Sequence, residues 1–379
     1  MQWFFLKLFI RRSINTFAFI AYYPLDSLVF LATPKETTQR TAIIKLGAIG
    51  DYILFRNFLP ELHRSRGKLT LIISKEIVPL CKYLDSEFVD EIVPVDATKM
   101  ETNPYYRFKL LSKIRKMGMS TMIQASFSRR ALVEDAITRA CNSKLKITPN
   151  DEGNHIAYHL KRITDQFYDQ VIKIQTISPF EYLKNHSFVE QIVGSFKLPQ
   201  FEIDTHKEDK NTIAVFPGAG RPYRRWAPEK FAQISTWLIK NTNYKLLVLG
   251  SKADFDAGEI IKDKNEAIIN MCGKVTIMDS IKFIAASSLV LGNESGPAHI
   301  GAALGIPTIV ISNGNHYGRF HPYPNSISDK IHTVYPPEFE IEVANTKPEL
   351  LVKKYRLRSL LDINEVKIDQ VISLLKVII

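Results

Sequence analysis

The sequence predicts an α/β protein built from two doubly wound domains, each a parallel sheet flanked by helices. Three observations lead to this fold class. Residues 42–125 alternate between short apolar runs typical of buried strands and stretches with helical spacing. A second alternating series covers residues 212–311. The polar and charged segment 204–211 between the two series suits a linker between domains.

Length and composition agree with this prediction. A chain of 379 residues suits two or three domains, and 45% apolar with 23% charged residues excludes disordered, collagenous and coiled-coil proteins. The 50 lysines and arginines exceed the 39 acids, and the net charge of +11 favours an anionic partner. Cys81, Cys141 and Cys272 lie far apart without a C-x-x-C pair, so neither a disulfide framework nor a zinc site is indicated, and the reducing cytosol fits best.

The elements follow in order along the chain. The first series predicts strands at 42–46, 69–74, 91–95 and 121–125, and helices at 52–64, 76–84 and 105–116. The second predicts strands at 212–216, 245–249, 289–291 and 308–311, helices at 228–241 and 297–304, and a final helix at 363–379. Two such domains in tandem would face each other across a central cleft, with ligands at the carboxyl ends of the strands.

Four segments are therefore expected. Residues 1–40 form an amphipathic segment, 41–205 a first Rossmann-like domain, 206–340 a second, and 341–379 a helical segment that could cross back to the first domain. The first 32 residues are rich in aromatic side chains, but Lys7, Arg11, Arg12, Asn15, Pro24 and Asp26 interrupt them. A spanning helix needs about 20 consecutive apolar residues, so we expect this segment to lie in the headgroup layer of an anionic membrane. The alternative is a helix packed on the first domain.

Two glycine-containing loops follow predicted strands. In Gly47-Ala48-Ile49-Gly50-Asp51 the glycines permit a tight turn into a helix, and Asp51 could act as a general base or cap that helix. The loop 216–228 contains glycine, proline and three arginines. Arginines and loop amides suit the oxygens of a diphosphate, although a solvated basic loop has the same composition.

A third motif, Asn293-Glu294-Ser295-Gly296-Pro297-Ala298-His299, opens the helix predicted at 297–304. Pro297 suits a first helical turn, and Ser295 and Gly296 can offer a hydroxyl and an amide to a phosphate. His299 by itself is as well explained as a structural histidine. The D-x-D tripeptide at 254–256 suggests a metal-bound sugar nucleotide only weakly, because such tripeptides are frequent by chance.

The stretch 107–146 carries a strong local excess of basic residues. It has ten lysines and arginines against Glu134 and Asp135. The excess suits a polyanionic acceptor or lipid headgroups, or helices with solvated basic faces. Nucleic acid is disfavoured as a partner, because none of the common recognition motifs is present.

Taken together and in order, these motifs resemble the bacterial heptosyltransferases, family nine of the glycosyltransferases, over residues 41–315. The resemblance rests on the following segments: Ile44-Lys45-Leu46-Gly47-x-x-Gly50-Asp51 with Pro60, Pro217-Gly218-Ala219, Arg224-x-Trp226-x-Pro228, Gly250-Ser251, Ser295-Gly296-Pro297-x-His299, and Ala302-Ala303-x-Gly305-x-Pro307. It implies a GT-B fold, with acceptor binding in the first domain and nucleotide-sugar binding in the second.

The resemblance also implies roles for individual residues. Asp51 stands at the position of the catalytic base. The donor-binding positions are Gly218, Ala219, Arg224, Asp254, Glu294, Ser295, Gly296 and His299. Arg224 replaces a usual lysine and Glu294 a usual aspartate, so the donor could differ from the family's own. Arg129 and Arg130 resemble a basic pair near the acceptor phosphates.

The expected activity is inverting transfer of a sugar, by default heptose from ADP-heptose, to a lipopolysaccharide core or a related lipid-linked saccharide. No metal or other cofactor is expected, and the protein would act peripherally on the cytoplasmic face of the inner membrane. Two alternatives stay open. The donor could be a UDP- or GDP-sugar used for capsule or outer saccharide, or the protein could bind saccharides without catalysis. The sequence does not reveal the acceptor hydroxyl or the oligomeric state.

Overall fold

A computed structural model describes residues 2–32, 38–150, 156–176, 178–204, 211–263 and 265–379, with the backbone alone for 2–12 and 38. Most of the predicted linker 204–211 lies outside the described residues. So do the side chains of Trp3, Phe4, Phe5 and Phe9, on which the membrane prediction partly rests.

Two parallel six-stranded sheets form the centre of the described chain. The first contains β1 Thr38–Lys45, β2 Leu69–Ser74, β3 Glu91–Val95, β4 Met119–Gln124, β5 Leu145–Pro149 and β6 Gln170–Ile172, in the order β3-β2-β1-β4-β5-β6. The second contains β7 Thr212–Phe216, β8 Lys245–Val248, β9 Ile268–Asn270, β10 Ser287–Asn293, β11 Thr308–Ile311 and β12 Ile331–Val334, in the order β12-β11-β10-β7-β8-β9. Numbered within each sheet, both orders are that of the doubly wound dinucleotide-binding fold. The predicted α/β class is confirmed.

Helices connect the strands of both sheets. The first series comprises α1 Gln2–Ser27, α2 Ile49–Arg56, α3 Leu59–Arg66, α4 Val78–Leu84, α5 Ala97–Thr102, α6 Pro104–Lys116, α7 Ala136–Ala140, α8 Tyr158–Thr164 and α9 Glu181–Val193. The second comprises α10 Pro228–Asn241, α11 Phe255–Lys262, α12 Ile277–Ala285, α13 Gly296–Ala303, α14 Pro337–Asn345, α15 Pro348–Tyr355 and α16 Ile368–Ile378.

Two compact units divide the chain, and each is discontinuous in sequence. The first unit comprises residues 1–48, 58–176 and 185–197, and the second comprises 49–57, 177–184 and 198–379. These boundaries differ from the expected 41–205 and 206–340, because α2 and the start of α9 group with the second unit. The core of the first unit includes Ile44, Ile72 and Met122.

The C-terminal segment belongs to the second unit. Val371 and Leu375 of α16 are fully buried and join the core formed by residues of β7, β8 and α10. The indole Nε1 of Trp226 donates to the Val366 carbonyl at 3.2 Å. The sequence left open whether residues 341–379 return to the first domain, and the structure assigns them to the second unit.

The long helix predicted at 52–64 is instead two helices, α2 and α3. Pro60 stands in the first turn of α3. In one continuous helix its ring would collide with the carbonyl of Arg56, four residues earlier, and this is the residue where α2 ends. The break gives α2 its own direction, which matters for the position of Asp51.

Among the described residues, one segment has the length and composition to cross a membrane. It is Ser13–Leu31, with a mean hydropathy of 1.3 and 17% of its window buried. Length and composition alone do not distinguish a spanning helix from one that packs on the protein.

Candidate functional site

The loops after β7, β8 and β10 surround one cavity in the second unit. Strands β7 and β10 are neighbours, and the strand order runs outward in opposite directions from them. Ligands of doubly wound sheets bind at such a switch point, beyond the carboxyl ends of the strands. The cavity measures about 460 Å³ and is lined by residues of loops 218–220, 250–254 and 295–297. Its volume is typical of a small-molecule site.

The first loop approaches Asp254 so closely that only glycine fits. A Cβ atom on Gly218 would stand 2.6 Å from the Asp254 carboxylate. Asn293, which is fully buried, holds this loop from β10, because its Nδ2 donates to the Pro217 carbonyl at 2.6 Å and its Oδ1 accepts from the Trp226 amide at 3.0 Å. The predicted donor residues Gly218 and Ala219 therefore line a rigid cavity wall.

Asp254 also lines the cavity, and one of its carboxylate oxygens holds the loop 250–254 through hydrogen bonds. Its Oδ2 accepts from the Ser251 amide at 2.9 Å and from the Ser251 hydroxyl at 2.7 Å. Its Oδ1 lies 3.8 Å from Nη2 of Arg225. The sequence identifies the position of this carboxylate but not the Ser251 contacts that orient it.

The amino end of α13 opens onto the same cavity. Ser295, Gly296 and Pro297 line it, and Ser295 donates through its hydroxyl to the Asn293 carbonyl at 3.1 Å. The first amides of a helix lack partners inside the helix, and the helix dipole places partial positive charge there. An anionic group in the cavity would face these amides.

Of the arginines in the loop 221–225, Arg225 lines the cavity and Arg224 does not. Arg225 donates from Nε to the Ala219 carbonyl at 2.9 Å, which fixes its side chain along the glycine loop. Arg224 instead extends to Glu294, with Nη1 at 3.5 Å from Oε1. The structure thus brings the neighbour of the predicted arginine to the site.

Glu294 is buried and is not among the residues that line the cavity. Its Oε2 accepts a hydrogen bond from the Ser312 hydroxyl at 2.6 Å. Burial raises the pKa of Glu294, and the neighbouring Arg224 opposes this rise. The carboxylate predicted to contact the donor sugar therefore interacts with Arg224 and Ser312.

His299 is buried in an aromatic cluster. Its Nδ1 lies 2.6 Å from the Tyr323 hydroxyl, and its ring stacks on His321 at a centroid distance of 5.2 Å. Burial lowers the pKa of His299 to about 4, with a further contribution from the positive charge of Arg224. His299 is thus neutral near pH 7 and serves as a packing surface for α2.

Helices α2 and α13 touch through two glycines. A Cβ on Gly50 would stand 2.6 Å from Cδ2 of His299, and a Cβ on Gly296 would stand 2.8 Å from Cβ of Ile49. Each glycine therefore lets its own backbone lie against a side chain of the other helix, a contact that any larger residue would block. Because Asp51 follows Gly50 directly, this contact places Asp51 beside the amino end of α13.

Asp51 faces a buried ion pair that the sequence did not reveal. Nη2 of Arg319 lies 4.0 Å from Oδ1 of Asp51, and Nε of Arg319 donates to Oε2 of Glu181 at 2.9 Å. The Arg319 side chain is 14% exposed and that of Glu181 is 1% exposed. The guanidinium is thus fixed between two carboxylates, one buried and one open to solvent.

The predicted acceptor pair Arg129 and Arg130 is located in the first unit. The Arg129 side chain is fully buried and forms ion pairs with Asp135 and Asp165, so its surroundings do not support the predicted contact with an acceptor. A wholly buried guanidinium has no surface to offer an acceptor. Arg130 is partly exposed and pairs with Glu134 at 2.9 Å, so its role in acceptor binding stays a prediction.

No group of three or more His, Cys, Asp or Glu side chains among the described residues is arranged to hold a metal ion. The D-x-D tripeptide contributes Asp254 to the cavity, whereas Asp256 lies exposed on α11. The third cysteine, Cys272, is buried, as are Cys81 and Cys141.

Comparison with known proteins agrees with this geometry. Residues 184–347, which include the cavity loops, α13 and Arg319, match the profile of glycosyltransferase family 9 (heptosyltransferase). Over this segment the chain is similar to glycosyltransferase family 9. The resemblance drawn from the motifs is confirmed.

Relatives in sequence are lipooligosaccharide and lipopolysaccharide heptosyltransferases. The chain is 31% identical to lipooligosaccharide heptosyltransferase 2 of Haemophilus influenzae over 39% of its own length and 43% of the relative. For the same enzyme of Campylobacter jejuni the identity is 28%, over 42% of this chain and 52% of the relative. The matched stretches thus span about half the length of these relatives.

Solved structures share the fold. The glycosyl transferase family 9 protein of Veillonella parvula has a TM-score of 0.65 at 16% identity, over 90% of this chain and 97% of that one. The ADP-heptose lipopolysaccharide heptosyltransferase II of Escherichia coli has a TM-score of 0.64 at 15% identity, over 89% and 98%. At such identities the likeness shows the fold alone, which is the GT-B fold of family 9.

The loop 312–323 is the part of the site that sequence reasoning missed. It supplies Arg319, which faces Asp51, and Tyr323 and His321, which surround His299. One signal was available, because the loop follows the predicted strand at 308–311 and is rich in polar and aromatic residues. Ligand-binding residues lie at the carboxyl ends of parallel strands, so the position of this loop alone indicates that it contributes to the site.

Proposed function

We propose that this protein is an inverting glycosyltransferase that transfers a sugar from a nucleoside diphosphate sugar to a hydroxyl of a lipid-linked saccharide. The observation that carries the proposal is the glycine-mediated contact of α2 with α13, which places Asp51 beside the helix end that opens onto the cavity. Asp51 and the cavity in which the diphosphate would bind both belong to the second unit. Heptose from ADP-heptose and a lipopolysaccharide-core acceptor are the default substrates, supported by the names of the family and its relatives.

The diphosphate of the donor would bind at the amino end of α13 and against the glycine loop 218–220. As the bond from the anomeric carbon to the diphosphate oxygen breaks, negative charge grows on the leaving group. The α13 amides and the guanidinium of Arg225 are fixed before the reaction, so they can stabilise this charge without reorganising. Asp254, which lines the same cavity beside the glycine loop, would contact the nucleoside.

Asp51 would act on the acceptor. Its carboxylate would take the proton of the acceptor hydroxyl as the oxygen forms a bond to the anomeric carbon, on the face opposite the leaving diphosphate. A single displacement of this kind inverts the configuration at that carbon. A weak base such as aspartate suffices, because the proton is transferred while positive character develops on the sugar.

Arg319 would position this base. Glu181 fixes the guanidinium through Nε at 2.9 Å, and Nη2 of the same group, 4.0 Å from Oδ1 of Asp51, would orient the Asp51 carboxylate. We expect Arg319→Ala to lower kcat about 10²-fold while the dissociation constant for ADP stays unchanged. Arg319→Lys should recover part of kcat, since it restores the charge but not the planar fork.

The control for Arg319 is Lys354→Ala, which breaks an exposed ion pair with Glu342 in the same unit. Added guanidinium ions should raise the turnover of Arg319→Ala and leave Lys354→Ala unaffected. Full activity of Arg319→Ala, or loss of ADP binding together with activity, would contradict a positioning role.

Calorimetric titration of the purified protein with ADP, UDP and GDP, without added metal, tests the donor site. We expect selective ADP binding, weakened in Arg225→Ala and less affected in Arg224→Ala, because Arg225 lines the cavity. Preference for UDP or GDP would keep the mechanism and change the donor to one used for capsule or outer saccharide. Absence of binding to all three would instead favour a protein without catalysis.

A further inference from the structure

The apolar segment Ser13–Leu31 packs on the first unit through one side only. Phe19 and Val29 are buried in the core of that unit, and Ala18 and Tyr22 pack against it. This is the alternative that the sequence left open, a helix packed on the first domain. The packed side leaves the opposite side of the helix uncovered.

A buried ion pair fixes the segment in place. Both carboxylate oxygens of Asp26 accept from Arg107, at 2.6 Å from Nε and from Nη2. Nη1 of Arg107 also donates to the carbonyls of Met100 and Leu132. The two side chains are 3% and 9% exposed, so separating them would leave a buried charge without its partner.

Two further arginines of the basic stretch hold the same segment. The guanidinium of Arg139 lies 3.5 Å from the ring centroid of Tyr23 and donates to the Tyr23 carbonyl at 2.8 Å. Arg115 lies 5.0 Å from the ring centroid of Phe30. Three arginines of the basic stretch 107–146 therefore hold the N-terminal segment: Arg107, Arg115 and Arg139. A helix held by these contacts along its length cannot at the same time cross a bilayer.

The uncovered side carries large apolar side chains. We call it the outer face, and it consists of Ile14, Phe17, Ile20, Leu28 and Leu31, which are 60%, 73%, 62%, 52% and 82% exposed. The first three follow each other at intervals of three residues and therefore share one side of α1. Large apolar side chains exposed together in this way are typical of an interaction site.

Exposed lysines accompany the outer face. Lys109, Lys113 and Lys116 are exposed on α6 at intervals of four and three residues, so they form one stripe. They line a groove of about 730 Å³ together with the exposed rings of Tyr105 and Phe108. Arg115 of the same helix contacts Phe30, so α6 runs beside the segment that carries the outer face.

We propose that the outer face and the lysine stripe of α6 together dock this protein onto an anionic lipid leaflet, with α1 lying in the membrane plane. The outer face enters the boundary between headgroups and acyl chains, and Lys109, Lys113 and Lys116 bind lipid phosphates. Tyr105 and Phe108 suit the headgroup layer, where aromatic residues are enriched. The inference deepens the proposed function, because a lipid-linked acceptor is presented at such a surface.

Sedimentation with vesicles of neutral or partly anionic phospholipid tests the docking surface on the full chain. The double variant Phe17→Asp/Ile20→Asp should bind both vesicle types at least about tenfold more weakly, since two large side chains lose their burial. The matched control is Ile341→Asp/Leu350→Asp, which changes two equally exposed apolar residues of the second unit. It should bind as the unaltered chain does.

The lysine stripe has its own variant, Lys109→Gln/Lys113→Gln/Lys116→Gln. It should lose affinity for anionic vesicles only, and the salt dependence of the remaining binding should flatten. Inorganic phosphate, added at concentrations that do not disrupt the vesicles, should not release the unaltered protein from them. Release by phosphate would indicate a site for free anions and would overturn the lipid assignment for the stripe.

The orientation of the helix is tested with single thiols at Ile14→Cys and Leu31→Cys. The native cysteines are buried, so a polarity-sensitive label reports on the introduced position. Both labels should be quenched equally by lipid quenchers at shallow depth, as expected for a helix in the membrane plane. Reaction of the two thiols from opposite sides of the vesicle would show a spanning helix, and concentration-dependent dimers without vesicle binding would assign the outer face to a second copy.

Nucleotide binding separates this inference from the proposed function. Phe17→Asp/Ile20→Asp should bind ADP as the unaltered chain does, because the outer face belongs to the first unit and the cavity to the second. If the unaltered chain bound vesicles but not ADP, the proposed donor site would be contradicted and the docking surface would be supported. If the unaltered chain bound ADP but not vesicles, the docking surface would be contradicted and the donor site would be supported.

Discussion

Asp51→Asn should reduce sugar transfer by about 10² to 10⁴-fold and leave ADP binding intact. Asparagine keeps the size of the side chain and its place beside α13, but it cannot accept a proton from the acceptor hydroxyl. Asp51 is not among the residues that line the cavity, so the nucleotide loses no contact. Transfer is measured with a radiolabelled donor and de-acylated lipopolysaccharide, and ADP binding by calorimetry.

The matched control is Asp256→Asn, an exposed aspartate on α11 that belongs to the D-x-D tripeptide. It should leave transfer unchanged with or without added metal. Retained turnover of Asp51→Asn would remove Asp51 from the role of base. Loss of ADP binding in Asp51→Asn would instead mean that the contact of α2 with α13 had been disturbed.

Asp26→Ala should lower the free energy of unfolding of the first unit by about 3–5 kcal/mol. The substitution leaves the buried guanidinium of Arg107 facing two carbonyls and no carboxylate. Equilibrium unfolding in urea, followed by circular dichroism and by ADP-binding capacity, separates the transition of this unit from that of the second.

Two controls accompany Asp26→Ala. Glu61→Ala breaks the ion pair with Arg64, whose side chain is 74% exposed, and should leave the unfolding curve nearly unchanged. The double variant Asp26→Leu/Arg107→Met removes both charges and should recover most of the lost stability. An unchanged unfolding curve for Asp26→Ala would show that the N-terminal segment contributes no stability to the first unit.

The central strands of both sheets were predictable because they are buried on both faces. Leu69–Ser74 and Thr308–Ile311 consist almost wholly of β-branched and aliphatic residues, and the predicted bounds coincide with the observed ones. Strands β6 and β9 have three residues each, too few for a periodic pattern. Such short outer strands are defined by pairing with their neighbours, which a local pattern does not contain.

The site shows the same division between local and distant information. Gly50 and Asp51 are recognisable because glycine after a strand end permits a tight turn into a helix, and that signal is local. The pairing of Arg319 with Glu181 joins residues 138 positions apart. The charge pattern around Arg129 is typical of a surface site, whereas the fold buries this side chain against Asp135 and Asp165. Composition reports the charge of a side chain but not its neighbours.

Helix α2 has a consequence for synthesis of the chain on the ribosome. It emerges among the residues of the first unit, yet its packing partner α13 is made about 240 residues later. Ile49 and Gly50, which meet Gly296 and His299 in the finished protein, must therefore wait for these contacts while the first unit assembles. A nascent chain stalled before residue 296 lacks the helix on which α2 packs, and neither unit can be excised with a single cut.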